Sequence, residues 1–167
     1  SMTAHRFDAS ILRAYDIRGI LEETLGSEDA LAIGRAFGTI VRRRGGQTVN
    51  VGYDGRHSSP DLAEHLAQGL LSAGVKVQRV GLGPTPMLYY SVHELHADGG
   101  IMVTGSHNPP NHNGFKFMLG REGFFGEDIQ ALGQLALIGD FESGLGTAVT
   151  IDLSDRYVAR LVEGADL

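Results

Sequence analysis

The feature that most limits the folds open to this chain is the alternation of short β-rich runs with segments of helical period, handed over at glycine or proline. Glu28 and Asp29 open a helix in which Ile33, Phe37, Ile40 and Val41 share one stripe, and Gly45-Gly46 closes it. Thr48–Tyr53 reads as a short buried strand. Ser59 is the expected N-cap of the next helix, with Pro60 at its first position, and Leu62, Leu66, Leu70 and Ala73 line one face up to Gly74. Residues 75–80 make a second strand, and Gly83-Pro84-Thr85-Pro86 turns the chain into a helix containing Tyr89, Tyr90 and Val92. Residues 100–104 make a third strand, followed by a loop of neither period. Residues 115–119 alternate like a strand, and Ile129, Leu132, Leu135 and Ala136 mark a further helix. An extended segment over 10–20 precedes them all. This order predicts an α/β fold: a three-layer α/β/α sandwich around a mixed, largely parallel sheet.

The expected organisation is one domain over residues 1–150. Beyond it, residues 149–153 start a new extended piece, and Ser154 caps an amphipathic run of Tyr157, Val158, Leu161 and Val162. Residues 151–167 are therefore expected to begin a linker helix toward a second domain that this sequence does not contain. The alternative is a helix that docks back on its own domain.

Charge and composition narrow the function. A formal charge of -6 disfavours nonspecific nucleic-acid binding. The one basic run, Arg42-Arg43-Arg44, ends a predicted helix, where cations complement the dipole. No apolar run approaches membrane-spanning length, and there is no cysteine, which suits a cytoplasmic location. Of the 24 glycines, several sit where predicted strands end and loops begin (Gly52, Gly55, Gly81, Gly83, Gly105 and Gly114), which hints at a site built from loops.

The loop after the third strand carries the most chemistry: Thr104-Gly105-Ser106-His107-Asn108-Pro109-Pro110, with Asn113-Gly114-Phe115-Lys116 beyond it. Gly105 is expected to take a conformation that presents the Ser106 hydroxyl outward, and the two prolines stiffen the far side of the loop. His107 stands beside the hydroxyl, and Lys116 returns on the next strand, where its ammonium could meet a phosphate. Hydroxyl, imidazole and ammonium around a glycine-turned loop suit phosphoryl transfer, which depends on positioning and charge neutralisation. A bare Ser-His pair is also compatible with a backbone-capping turn. A serine-hydrolase reading lacks the G-x-S-x-G elbow. His93, His96, His107 and His112 suggest a zinc site only weakly, because two lie in the serine loop and no cysteine assists.

The Thr104–Pro110 run resembles the active-site loop of the α-D-phosphohexomutase superfamily, in which the serine is carried phosphorylated. Ala14-Tyr15-Asp16-Ile17-Arg18-Gly19-Ile20 is similar to that family's opening strand and loop, and Gly52-Tyr53-Asp54-Gly55-Arg56 to its Asp-x-Arg motif, followed by Ser58-Ser59-Pro60. Gly83-Pro84-Thr85-Pro86 and Asn113–Lys116 agree as well, and the likeness extends from about Phe7 onward. Glycine at 105 resembles the phosphomannomutase/phosphoglucomutase branch, since phosphoglucosamine mutases usually show alanine there.

The resemblance implies that Ser106 carries the phosphoryl group exchanged with hexose 1- and 6-phosphates through a hexose 1,6-bisphosphate, and that its phosphate ligates Mg²⁺. It also implies that Arg18 and Lys116 flank the transferring group, that Tyr15 shapes the substrate approach, and that His107 shuttles a proton or holds the phosphate. Asp54 and Arg56 are expected to brace the loop. The family's metal-completing Asp-Gly-Asp-x-Asp segment, sugar-specificity loop and second phosphate-binding loop belong to further domains, whose motifs are absent from this sequence. The chain alone is therefore expected to be incomplete for catalysis. The alternatives are a non-catalytic phosphosugar-binding or regulatory module, and a structural domain whose terminal helix recruits a partner.

Overall fold

The computed structural model describes residues 4–153. Among these residues the strands are β1 (Ile17–Ile20), β2 (Thr48–Tyr53), β3 (Lys76–Leu82), β4 (Gly99–Val103), β5 (His112–Leu119), β6 (Glu122–Phe124) and β7 (Thr147–Thr150). The helices are α1 (Ser27–Arg43), α2 (Ser59–Ser72), α3 (Thr85–Glu94) and α4 (Glu127–Ile138). One sheet runs in the order β1-β5-β4-β2-β3-β7, with β6 pairing the distal half of β5. It is mixed: β4, β2, β3 and β7 are parallel neighbours, whereas β5 is antiparallel to β1, β4 and β6. None of the described helices is long and apolar enough to cross a membrane.

The period of two along the strands sorts side chains to the two faces. Val49 and Val51 of β2, Val77 of β3, Ile101 and Val103 of β4, and Phe115 and Phe117 of β5 meet α1, α2 and α4 in the main core. The opposite face carries α3, and Val80, Leu88, Met102 and Leu153 form a smaller cluster there. On that face Asn50 is fully buried, and its amide donates to the Ser91 hydroxyl at 3.0 Å. The three-layer architecture is thus present, with helices on both faces.

Two glycines let α1 and α2 touch backbone to backbone. A Cβ at Gly34 would strike the Leu66 carbonyl and lie 2.9 Å from the Gly69 Cα, while one at Gly69 would strike the Leu31 carbonyl. An aromatic trio then ties the β5–β6 hairpin to α1. Phe37 lies 5.4 Å from Phe117 and edge-on to Phe124 at 5.3 Å, ring centroid to centroid.

Several boundaries differ from expectation. Most of the extended segment over 10–20 is not strand: residues Ala9–Ile11 form a short 3₁₀ turn, capped by Asp8 accepting from the Ser10 N–H, and only Ile17–Ile20 pair. Ser58, not Ser59, is the N-cap of α2; Ser59 is already helical and gives its hydroxyl to Asp54. β3 runs past Val80 by absorbing a bulge opposite Val51/Gly52, with Gly81 at φ +78°. β5 begins three residues early, at His112, because its first residues pair with β1. β6 has no counterpart in the sequence reading: Glu122–Phe124 is too short for a period to show, and Phe124 holds it through the aromatic trio. The extended piece over 149–153 pairs as Thr147–Thr150 on β3. Arg42 and Arg43 do end α1; Arg43 also pairs with Glu142 at 3.1 Å, and Arg42 donates to the Ala73 carbonyl at 3.2 Å. The amphipathic run from Tyr157 to Val162 lies outside the described residues.

The α1–α2 contact leaves no room for a methyl group. Gly69→Ala is expected to lower unfolding stability by about 1–3 kcal/mol, as overpacking does, with the slope of a urea melt unchanged. An unaltered midpoint would mean that the helices part freely.

Candidate functional site

In an open parallel sheet, ligands gather outside the carboxyl ends of the strands. The loops leaving β2 and β4, adjacent in the sheet, both emerge there and touch each other. The chain continues from β4 through Thr104, whose N–H donates to the Gly114 carbonyl at 2.9 Å, and then bends sharply. The bend is at Ser106 itself, which sits in the left-handed region at φ +52°. Gly105, expected from sequence to supply that freedom, does not have a positive φ. Its role is steric, because a Cβ there would run into the Arg56 guanidinium.

A left-handed serine costs on the order of 1 kcal/mol, and the surroundings hold it there. The Ser106 N–H donates to the Thr104 hydroxyl oxygen at 3.0 Å, and the Asn108 N–H closes a turn on the Gly105 carbonyl at 3.0 Å. Arg56 reaches into the loop from the β2 side and donates to four backbone carbonyls: Ser106 at 3.2 Å, Pro109 at 2.6 Å, His112 at 3.1 Å, and Asn108. Asp54 stands 3.7 Å from the Arg56 Nε and accepts the Gly105 N–H at 2.9 Å. The bracing role expected of Asp54 and Arg56 is visible in these contacts. The network has further members that sequence reasoning missed. The Asn113 amide donates to the hydroxyls of Ser58 at 2.8 Å and Ser59 at 2.9 Å, tying the start of β5 to the same assembly. Beside Pro60, Ser58 and Ser59 signal a helix start in the sequence, and that signal hides this second use.

Burial pushes the Asp54 carboxyl up, but donors outweigh it. The Ser59 hydroxyl, the Gly105 and Arg56 N–H groups and the Thr104 hydroxyl together hold it below the ordinary value of 3.8.

The net result is an exposed Ser106 hydroxyl on a rigid bend. Of the cations expected around it, Arg18 is in place. It is 4% exposed, and its Nη2 donates to the Ser106 Oγ over 3.4 Å while its Nη1 donates to the Thr104 carbonyl at 3.0 Å. Gly114 makes this approach possible, since a Cβ there would lie 3.1 Å from the Arg18 Cα. Lys116 pairs with Met102 across β4, and Arg18 pairs with Gly114, so the alternation puts both cations on the α3 side of the sheet. Lys116 is half-buried and makes no hydrogen bond or ion pair among the described residues. His107 is exposed and likewise unbonded among them. Tyr15 is 78% exposed; its ring leans on Phe125, 5.9 Å away, and has no hydrogen bond to the serine loop.

The site is an open surface rather than a cleft. A cavity of about 380 Å³ lined by Leu21, Arg56, His57, Ser58, Asn108 and Pro110 borders the loop, but Ser106, Arg18 and Lys116 do not line it. Another, of about 370 Å³, lies at the opposite end of the strands beside Gly46, Asp98 and Gly120, away from this chemistry. A resident Mg²⁺ does not fit these residues alone. Among the described residues no three imidazoles or carboxylates converge, Asp16 is occupied by Arg18, and Asp54 by its donors.

Because the folded carboxyl titrates below 3.8, the contribution of Asp54 is complete above that pH and is lost as the pH falls through the lower folded value. The Gly105 amide proton, bonded to Asp54, is expected to shift in an NMR titration with a midpoint below 3.8, and Asp54→Asn should abolish the step. A midpoint above the ordinary value would contradict the bracing network.

Comparison with known proteins bears on this geometry. Residues 9–135 match the family model described as phosphoglucomutase/phosphomannomutase, alpha/beta/alpha domain I. A phosphomannomutase/phosphoglucomutase of Pseudomonas aeruginosa is 46% identical over 153 residues, covering 92% of this chain and 33% of that protein. A phosphoglucomutase of Neisseria gonorrhoeae is 47% identical over 122 residues, covering 73% and 26%. The crystal structure of a phosphoglucomutase/phosphomannomutase family protein from Burkholderia thailandensis superimposes with a TM-score of 0.90 at 44% identity, covering 94% of this chain and 36% of that one. The chain thus spans about a third of the length of these relatives. A loop that braces an exposed serine beside a buried arginine, on a sheet shared with these proteins, places this chain in the phosphoglucomutase/phosphomannomutase family, as its α/β/α domain I.

Proposed function

We propose that this chain is the phosphoryl-carrying part of a phosphomannomutase/phosphoglucomutase, an isomerase of hexose phosphates completed by further domains of a longer protein. The single observation that carries the reading is the Ser106 hydroxyl, exposed on a backbone bend fixed by Arg56, with the Arg18 Nη2 3.4 Å from its oxygen. An oxygen held this way is pre-oriented and needs no reorganisation to give or take a phosphoryl group.

With phosphate on Ser106, the P–Oγ bond breaks as a free hydroxyl of a hexose 1- or 6-phosphate attacks phosphorus. The hydroxyl proton leaves to a base, and Ser106 recovers a neutral hydroxyl. The product is the hexose 1,6-bisphosphate, whose other phosphoryl group returns to Ser106 by the reverse step. Arg18 and Lys116 stabilise the negative charge that spreads over the transferring oxygens. His107, exposed beside the serine, holds an oxygen or relays a proton. Tyr15, exposed and leaning on Phe125, contributes to the substrate approach. Mg²⁺ supplies charge neutralisation on the phosphate when bound, and its remaining ligands come from elsewhere in the longer protein.

A donor site on one third of the relatives' length leaves the acceptor side to be supplied from outside the chain, so the isolated 167-residue chain is expected to lack turnover. In the longer protein, Ser106→Ala should lower mutase turnover by roughly a thousandfold or more, the scale of removing a nucleophile. Intact-mass measurement should find one phosphoryl group on the wild type and none on the variant. Full activity of the variant, with no phosphoserine in the wild type, would defeat the reading. Binding of glucose 1-phosphate by the wild-type chain without any turnover in the longer protein would favour a phosphosugar-binding module instead.

A further inference from the structure

Arg18 has five N–H donors in one rigid plane, so fixing some of them fixes where the rest point. Its Nε and Nη2 both donate to the same oxygen of Asp16, Oδ2, at 3.0 and 2.9 Å. Its Nη1 donates to the Thr104 carbonyl at 3.0 Å. With the plane pinned at these points, Nη2 is aimed at the Ser106 Oγ. Asp16 is itself anchored: its carbonyl accepts the Arg13 N–H at 3.0 Å, and two residues earlier the Ala14 carbonyl accepts the Gly126 N–H at 2.6 Å. The Asp16 side chain is 15% exposed and the Arg18 side chain 4%, so the pair is sheltered from competing water.

Charge alone argues against placing a carboxylate here. A negative group this close repels phosphoryl oxygens and cancels part of the pull of Arg18. If Asp16 assists the chemistry, it does so through geometry, and the two effects have opposite signs in an experiment.

We infer that Asp16 is a positioning residue for phosphoryl transfer: it holds the Arg18 guanidinium in the plane from which Nη2 meets the oxygens on Ser106. The inference rests on the reading of Ser106 as a phosphoryl carrier. Asp16 takes no part in bond making and acts only through Arg18.

The test is a cycle of Asp16→Asn, Arg18→Ala and the double variant in the longer protein, with mutase kcat and KM measured for each. Asp16→Asn is expected to lower kcat about 10- to 100-fold, the cost usual for partners that orient a reacting group, with KM changed by less than about threefold. Asp16→Glu should recover part of the loss. The double variant should be no slower than Arg18→Ala alone, because the two residues act as one unit. Wild-type or higher kcat in Asp16→Asn, as the charge argument requires, overturns the inference, and so do losses that add in the double variant. Thermal melts of the 167-residue chain report folding. If the asparagine variant does not fold, Asp16→Glu with Arg18→Ala runs the same cycle. Ser106→Ala keeps the two ideas separate. Turnover that survives it defeats the carrier reading, whereas turnover lost there but intact in Asp16→Asn defeats only the positioning role.

Discussion

The guanidinium of Arg56, enclosed by the backbone carbonyls of its own chain, is the interaction on which the rest of the site depends. Carbonyl dipoles of Ser106, Asn108, Pro109 and His112 converge on one cation that is 18% exposed. Carbonyls brought together without a counter-charge would repel one another, so the loop cannot take this shape around a neutral side chain. Hydrogen bonds to a charged partner contribute about 1.5–3 kcal/mol each when sheltered, enough to outweigh the backbone strain at Ser106. Asp54 completes the arrangement by neutralising the cation from behind and receiving the Gly105 N–H. The cost is a glycine requirement, since any Cβ at 105 would occupy the place of the guanidinium.

The two arginines near Ser106 divide the work. Arg56 gives its donors to the backbone carbonyls of the loop, whereas Arg18 approaches from the opposite side, on a strand antiparallel to β5, and keeps a donor on the serine oxygen. The sheet makes this possible through its mixed order. The parallel strands β2 and β4 place two loops side by side at their carboxyl ends, and the switch of direction at β5 brings β1 back to the same end.

Much of this is legible in the residues. The helices and the central strands follow from periods of 3.6 and 2 and from glycine and proline at their ends, and α1, β2 and α4 fall where Ile33, Val49 and Ile129 predict them. The serine loop announces itself by composition. Features that stay hidden depend on encounters between distant segments. The strand at Glu122 exists because Phe124 meets Phe37, and no local pattern states that. Asp16 and Arg18 are two apart, a spacing that carries no signal for pairing until the loop before β1 is known to fold back. The contact of Gly34 with Gly69 likewise emerges only once α1 lies across α2. Gly105 suggests a freedom that its neighbour exercises, because flexibility and lack of bulk look alike in one letter.

The left-handed backbone at Ser106 also limits which amino acid could hold the position. Threonine carries the same hydroxyl, but its β-branch sets a methyl group against a main chain that branched residues almost never adopt. Aspartate and asparagine, by contrast, tolerate this region better than most. The choice between the two hydroxyl amino acids is thus made by torsion angles rather than by reactivity, and the exposed oxygen inherits its identity from the shape of the turn.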